Sequence, residues 1–187
     1  VRNGITLFIL LVYTLSAGAQ IGDATINSEG KRISFISGML FNNKDFFFDF
    51  GLGYENLTAQ WAIRLDVDFR PFFKKVQIKN EDGSIDQFFE RKTLLGIAAE
   101  KRLLQLPVGS STFRFLVGAK GGVMFGNYRG LRRHAEILPY VSPYAGAAFD
   151  IGSGGMFKFG YSFMDLQNPR IPQHRIFFGI TFYLTEL

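Results

Sequence analysis

From Phe46 onward, large apolar side chains recur at every second position. Phe46, Phe48, Phe50, Leu52 and Tyr54 alternate with Phe47, Asp49, Gly51 and Gly53. Trp61, Ile63, Leu65, Val67 and Phe69 alternate with Ala62, Arg64, Asp66 and Asp68. The same pattern returns around Phe113 to Val123, Phe157 to Phe163 and Ile176 to Leu184, and more weakly over 31–41, 89–103 and 139–151. A period of two is the mark of a β-strand, whose side chains point alternately to opposite faces. Eight strands are predicted, near 31–41, 45–55, 59–70, 89–103, 112–126, 139–151, 155–165 and 174–184, with no helix between them. Each reaches the 9–11 residues or so that a tilted strand needs to cross a bilayer.

The connections sort by parity. Glu55 to Thr58, Leu104 to Ser111 and Gly152 to Gly154 are short turns. Pro71 to Phe88, Asn127 to Leu138 and Leu166 to Gln173 are longer, and Asn42 to Lys44 is the short exception on their side. Short turns at one end and long loops at the other describe a membrane barrel. Within 71–88, alternation around Val76 and Ile78 predicts a hairpin beyond the membrane, with Asp82-Gly83 at its tip. Its exposed edge could recruit a partner by strand pairing.

Two closed architectures compete: a soluble carrier with its apolar face inward, and a membrane barrel with that face outward. The less apolar face decides. It is mostly small (Gly51, Gly53, Gly96, Ala98, Gly118, Gly122, Gly146, Ala148, Gly160, Ser162, Gly179), which suits the narrow interior of eight strands rather than a wet exterior. The expected fold is an all-β, eight-stranded antiparallel up-and-down transmembrane barrel. With the first strand rising from the periplasm, Tyr54, Trp61, Phe113, Phe149, Phe157 and Phe182 fall at one membrane interface. Phe46, Phe69, Phe89, Phe125 and Phe163 fall at the other.

Composition agrees with this division. The 187 residues include 22 Phe and 21 Gly, the two types that the alternation sends mainly to opposite faces. The absence of Cys excludes disulfides, thiolate metal sites and Cys nucleophiles. The net charge of +5 is spread too thinly for a nucleic-acid footprint. Arg2 and Asn3, the apolar run Ile5 to Leu15 and the small Ala17-Gly18-Ala19 read as a signal peptide over 1–19. Residues 20–30 are then a short lead, and 31–185 the barrel.

On the inward face, Asp49, Asp66, Asp68, Glu100 and Asp150 meet Arg64, Arg114, Lys120 and Lys158. Charges taken out of water must pair, so a network of lumenal salt bridges closing the barrel is expected. The alternative is a narrow ion or proton path, which would be expected to show one dominant sign.

Chemistry-bearing residues are sparse. His134 and His174 lack metal-ligand spacing, so no metal and no cofactor is expected. Ser142 and Ser162, with either His, are the only candidates for nucleophilic catalysis. Arg129, Arg132 and Arg133 cluster in the third outer loop, where guanidinium groups could pair with lipopolysaccharide phosphates.

The pattern as a whole resembles the small eight-stranded outer-membrane barrel family that includes the OmpA transmembrane domain and the OmpX type. The resemblance runs over about 31–184 and is one of pattern. Gly179, Phe182 and Leu184 resemble the family's C-terminal assembly signal in spacing. They differ in that Leu184 stands where an aromatic is usual, and Thr185-Glu186-Leu187 follow. The resemblance implies an outer-membrane location, contact with outer-membrane lipids and lipopolysaccharide, and recognition by the barrel-assembly machinery. A monomer with a structural or surface-interaction role is expected. Some small barrels of this kind act on lipid A acyl chains, which keeps a lipid-modifying enzyme as the alternative beside a small pore.

Overall fold

A computed structural model describes residues 30–42, 45–56, 59–129, 136–151, 154–164 and 173–186. The expected signal peptide, nearly all of the lead, and Arg132, Arg133 and His134 lie outside the described residues. Among the described residues there are nine strands: β1 (Lys31–Phe41), β2 (Phe46–Asn56), β3 (Trp61–Phe69), β4 (Lys74–Lys79), β5 (Ile85–Val108), β6 (Ser111–Arg129), β7 (Glu136–Asp150), β8 (Gly155–Phe163) and β9 (His174–Glu186). All pairings are antiparallel. Neighbours follow the chain from β5 through β9 to β1, β2 and β3, and the β3–β5 pairing shuts the ring at eight strands. Closure leaves no unpaired sheet edge within the ring, which a strand needs in hydrocarbon.

The ninth strand is the predicted hairpin. β4 pairs with the first residues of β5, from Lys74↔Glu90 to Lys79↔Ile85. It continues the line of β3 along β5 after an interruption at 70–73, where Pro71 cannot donate to a ladder. Its turn closes on Asn80 and Ser84, and Gly83 takes the positive φ of 85° that the reversal requires. β5 has 24 residues, roughly 80 Å of strand, so even when tilted it outreaches a hydrocarbon core of about 30 Å.

The expected turn from Leu104 to Ser111 is shorter than the sequence suggests. Pairing continues to Val108↔Ser111, and Gly109 makes the reversal at φ 61°. A bulge between Arg102 and Leu104 places Arg102 in the lumen and leaves both Leu103 and Leu104 exposed. That lost beat in the alternation made strand end and turn look alike.

Outward positions are mostly large and apolar. Leu52, Ile63, Leu65, Ile97, Val141, Ile176 and Leu184 are all exposed. Inward positions are buried and mixed: Glu, Asp, Arg and Lys share the lumen with Gly, Ala and a set of large apolar groups. Leu40, Phe47, Leu94, Met124, Tyr140 and Met164 form one apolar cluster toward the loop end. Leu116, Ala148 and Met156 form a second toward the turn end, and Phe177 packs against both. The lumen is therefore richer in large side chains than the small-residue face implied. The glycines make the room. A Cβ on Gly118 would lie 2.4 Å from Tyr144 Cζ, and one on Gly96 would lie 2.4 Å from the Tyr140 hydroxyl. Gly146 and Gly160 likewise accommodate the Phe177 ring, at 2.8 and 2.6 Å from such a Cβ. Tyr140, Tyr144 and Phe177 thus each lie over bare backbone on a neighbouring part of the wall.

Candidate functional site: the lumenal charge network

Alternation places the network. Even-numbered residues of β3, β5, β6, β7 and β8 and odd-numbered residues of β2 face inward, so charges from distant parts of the chain meet in one interior. Glu100 on β5 accepts from Arg64 Nη1 at 2.8 Å and from Lys158 Nζ at 2.7 Å. Tyr144 bridges the same group: its hydroxyl accepts from Arg64 Nη2 at 3.3 Å and donates to Glu100 at 3.4 Å. Lys120 on β6 reaches across to three acids, Asp68 at 2.6 Å, Asp49 at 3.3 Å and Asp66 at 3.4 Å. Asp66 also lies 3.6 Å from Arg64 Nε, which joins the two groups. Arg114 pairs with Asp150 near the turn end. All nine charged residues singled out in the sequence thus face the lumen, seven in one connected group and two in a separate pair.

Alternation alone also points to residues that the sequence reading passed over. Glu90, Lys92 and Arg102 are in phase with Glu100 along β5, and Glu55 is in phase with Asp49 along β2. Arg102 pairs with Glu55, and Lys92 lies 3.1 Å from Glu90. Arg70, in phase with Arg64, donates its Nε to Asp45 at 2.8 Å and its Nη1 to the Glu90 carbonyl at 3.2 Å, while Nη2 also pairs with Asp45. Arg175 is inward on β9, over the Phe47 ring. These seven additions comprise three acids and four bases, so the two signs stay close to balance. All seven lie within the predicted strands, toward their ends, where the apolar alternation that marks the faces is weakest.

A cavity of about 50 Å³ sits among Asp49, Arg64, Asp66, Glu100, Lys120, Lys158, Ser142 and Ser162. Both Asp66 oxygens and the Ser162 hydroxyl lack a protein hydrogen-bond partner. A polar space of this size has room for a few waters. The apolar clusters lie on either side of this polar centre, toward the loop end and the turn end.

Among the described residues, the candidates for other chemistry do not converge. Ser142 and Ser162 are buried in the lumen. His174 lies on the opposite side of the wall, its Nδ1 against the hydroxyl of outward-facing Tyr161 and its ring 5.4 Å from Phe163. Among the described residues, no group of His, Asp and Glu could hold a metal ion. Of the three loop arginines, Arg129 is the last residue of β6.

The aromatic residues expected at the interfaces lie toward the two ends of the barrel, while Phe50, Phe159 and Phe178 occupy the belt between them. Near the turns, Tyr54 and Trp61 lie 5.6 Å apart, Phe113 and Phe149 lie 4.8 Å apart, and Phe157 is paired across to Phe149. Phe182 pairs with Gly155 and Phe35 at that same end. Near the loops, Phe69 packs on Phe48 at 5.6 Å, Phe125 pairs with Thr93, and Phe163 with His174. On β9, Phe182 and Leu184 are exposed to the exterior, while Gly179 faces the lumen.

No protein-family model matches the chain, and no curated protein matches it by sequence. Solved structures do. The crystal structure of Neisserial surface protein A (NspA) aligns with a TM-score of 0.51 at 10% identity, over 83% of this chain and 96% of that one. Ail of Yersinia pestis in a phospholipid bilayer nanodisc gives 0.43 at 13% identity, over 83% and 100%. Ail in complex with the heparin analogue sucrose octasulfate gives 0.37 at 8%, over 82% and 95%. At these identities the likeness is one of fold. An apolar coat, a charge-paired interior and a closed ring of eight antiparallel strands, aligned along almost all of NspA, make this chain a small eight-stranded β-barrel of the outer-membrane type.

Proposed function

We propose that the protein is a surface protein of the outer membrane that acts through its loop end and transports nothing through its lumen. The observation that carries this reading is the packed interior, in which charge pairs among the described residues span the barrel between two apolar clusters, around a cavity of about 50 Å³. Eight strands enclose too little space for both this packing and a continuous aqueous path. Planar-bilayer recording of the purified barrel tests it: the expected trace is flat, and steady, reproducible open-channel conductance would overturn the closed lumen.

The loop end is where such a barrel can recognise something. Arg129, Arg132 and Arg133 supply guanidinium groups to the outer leaflet, whose lipopolysaccharide phosphates are their natural counter-charge. Replacing all three by Ala is expected to reduce lipopolysaccharide co-purification several-fold, and unchanged lipid retention would rule that contact out. The β4–β5 hairpin adds a second surface, since β4 pairs with β5 alone among the described residues and offers its other edge to a protein partner. A lipid-modifying reaction finds less support. The lumenal serines and His174 stand on opposite sides of the wall, beyond the hydrogen-bond reach that nucleophile and base require.

A further inference from the structure

Among the described residues, the charge layer at the loop end of the lumen holds one cation too many. Arg175 projects inward one residue inside the last β8–β9 pair, Phe163↔His174. It is 2% exposed, and its Nε, Nη1 and Nη2 all lack a hydrogen-bond partner. One face of its guanidinium lies on the Phe47 ring, 4.7 Å from the centroid, and Arg70 lies 5.3 Å from the same centroid. Stacking satisfies the face and leaves the N–H edge uncommitted. The acids nearby are engaged elsewhere. Asp45 takes two nitrogens of Arg70, Asp68 takes Lys120 at 2.6 Å, and Glu90 lies between Lys92 and Arg70 at 3.1 and 3.8 Å. A guanidinium cannot escape by losing its proton, and a buried charge without a counter-charge is strongly unfavourable.

We infer that Arg175 is the anchor of an oxyanion site at the loop end of the lumen, with a phosphate group as its ligand. The planar N–H edge of a guanidinium matches two oxygens of one phosphate, which a single-point ion such as chloride cannot use. The Tyr140 hydroxyl, buried in the same apolar cluster as Phe47 and also without a partner, is a further donor in that half of the lumen. This site is distinct from the loop arginines, because Arg175 belongs to the barrel wall. The phosphate could come from solution or from a lipid headgroup at the rim.

The test uses the full barrel in maltoside micelles, free of phosphate, with the Arg175 Nε–Hε resonance followed by NMR. That resonance is assigned in the wild type by through-bond correlation to the Arg175 backbone amide. Two probes are added separately: inorganic phosphate, and phosphatidic acid in mixed micelles. A saturable shift with inorganic phosphate identifies a solute site, and a shift with phosphatidic acid alone identifies a lipid headgroup site. Either supports the proposal, with Arg175→Met weakening binding of the effective probe by about tenfold or more. An Arg175 resonance unmoved by both probes overturns it and leaves buried water as the partner. The wild-type titration decides the matter even if Arg175→Met fails to fold, which the heat-dependent gel mobility of the barrel reports.

Discussion

Glu100 shows how much depends on single lumenal side chains. It receives two cations and a hydroxyl, and it is almost fully buried. Removing it leaves Arg64 and Lys158 facing each other in a low-dielectric interior. Breaking a buried pair by deleting one partner costs about 3–5 kcal/mol. Glu100→Ala is therefore expected to destabilise the barrel by that amount, measured by urea unfolding in lipid vesicles. A loss below about 1 kcal/mol would mean that water solvates the lumen well enough to make the pairing incidental. The residue types of this network were legible in the sequence, and so was their side of the wall. Their partners were not. Lys120 meets Asp49 and Asp68 across separations of 71 and 52 residues, and only the register of the four strands β2, β3, β5 and β6 brings them together.

At the scale of elements, the β4–β5 hairpin is the part held by local chemistry rather than by the barrel. Asp82 accepts from both the amide and the hydroxyl of Ser84, at 2.9 and 2.6 Å, and Asn80 closes the turn against Ser84. The bonds to Ser84, above all its hydroxyl, hold the Asp82 carboxyl below its ordinary range. A carboxylate depressed in the folded state stabilises above its unfolded pKa of about 3.9 and loses that contribution as pH falls through the folded value. Protection of the Ser84 amide from hydrogen exchange is expected to hold at neutral pH and to decline below about pH 4. Asp82→Ala should abolish the protection at both pH values, and a pH-independent profile in the wild type would contradict the assignment. The hairpin itself was readable from Asp82-Gly83 between alternating segments. Its continuation of β3 along β5 was not, because Pro71 interrupts the strand and the sequence does not say that the chain resumes on the same neighbour.

For the whole molecule, the inversion of inside and outside sets the position of the membrane. Trp61 is the single tryptophan, it is half-buried beside Tyr54, and it lies at the turn end of β3. Its ring belongs at the level of the headgroups. In vesicles containing lipids brominated at defined depths, its fluorescence is expected to be quenched most by the shallowest bromines. Strongest quenching by bromines near the acyl-chain ends would place the turn end wrongly.

The sequence by itself determined the strand count of the ring, the face of each strongly alternating strand and the sign of the solvent problem. Those follow from the two-residue period of an extended backbone and from the bulk of the apolar face, both of which are local. The weaker strands β1, β5 and β7 hid their inward residues, since Ile36, Leu94 and Tyr140 are as apolar as their outward neighbours. Tertiary structure alone decided which charges pair, which rings fill the space above Gly96 and Gly118, and that Ser162 and His174 are parted by the wall. Those outcomes depend on shear and register around a closed ring, where a shift of one residue in any seam would send every side chain of a strand to the other face. The surplus cation at Arg175 is the same kind of fact: its charge is written in the sequence, and its want of a partner is a property of the closed barrel.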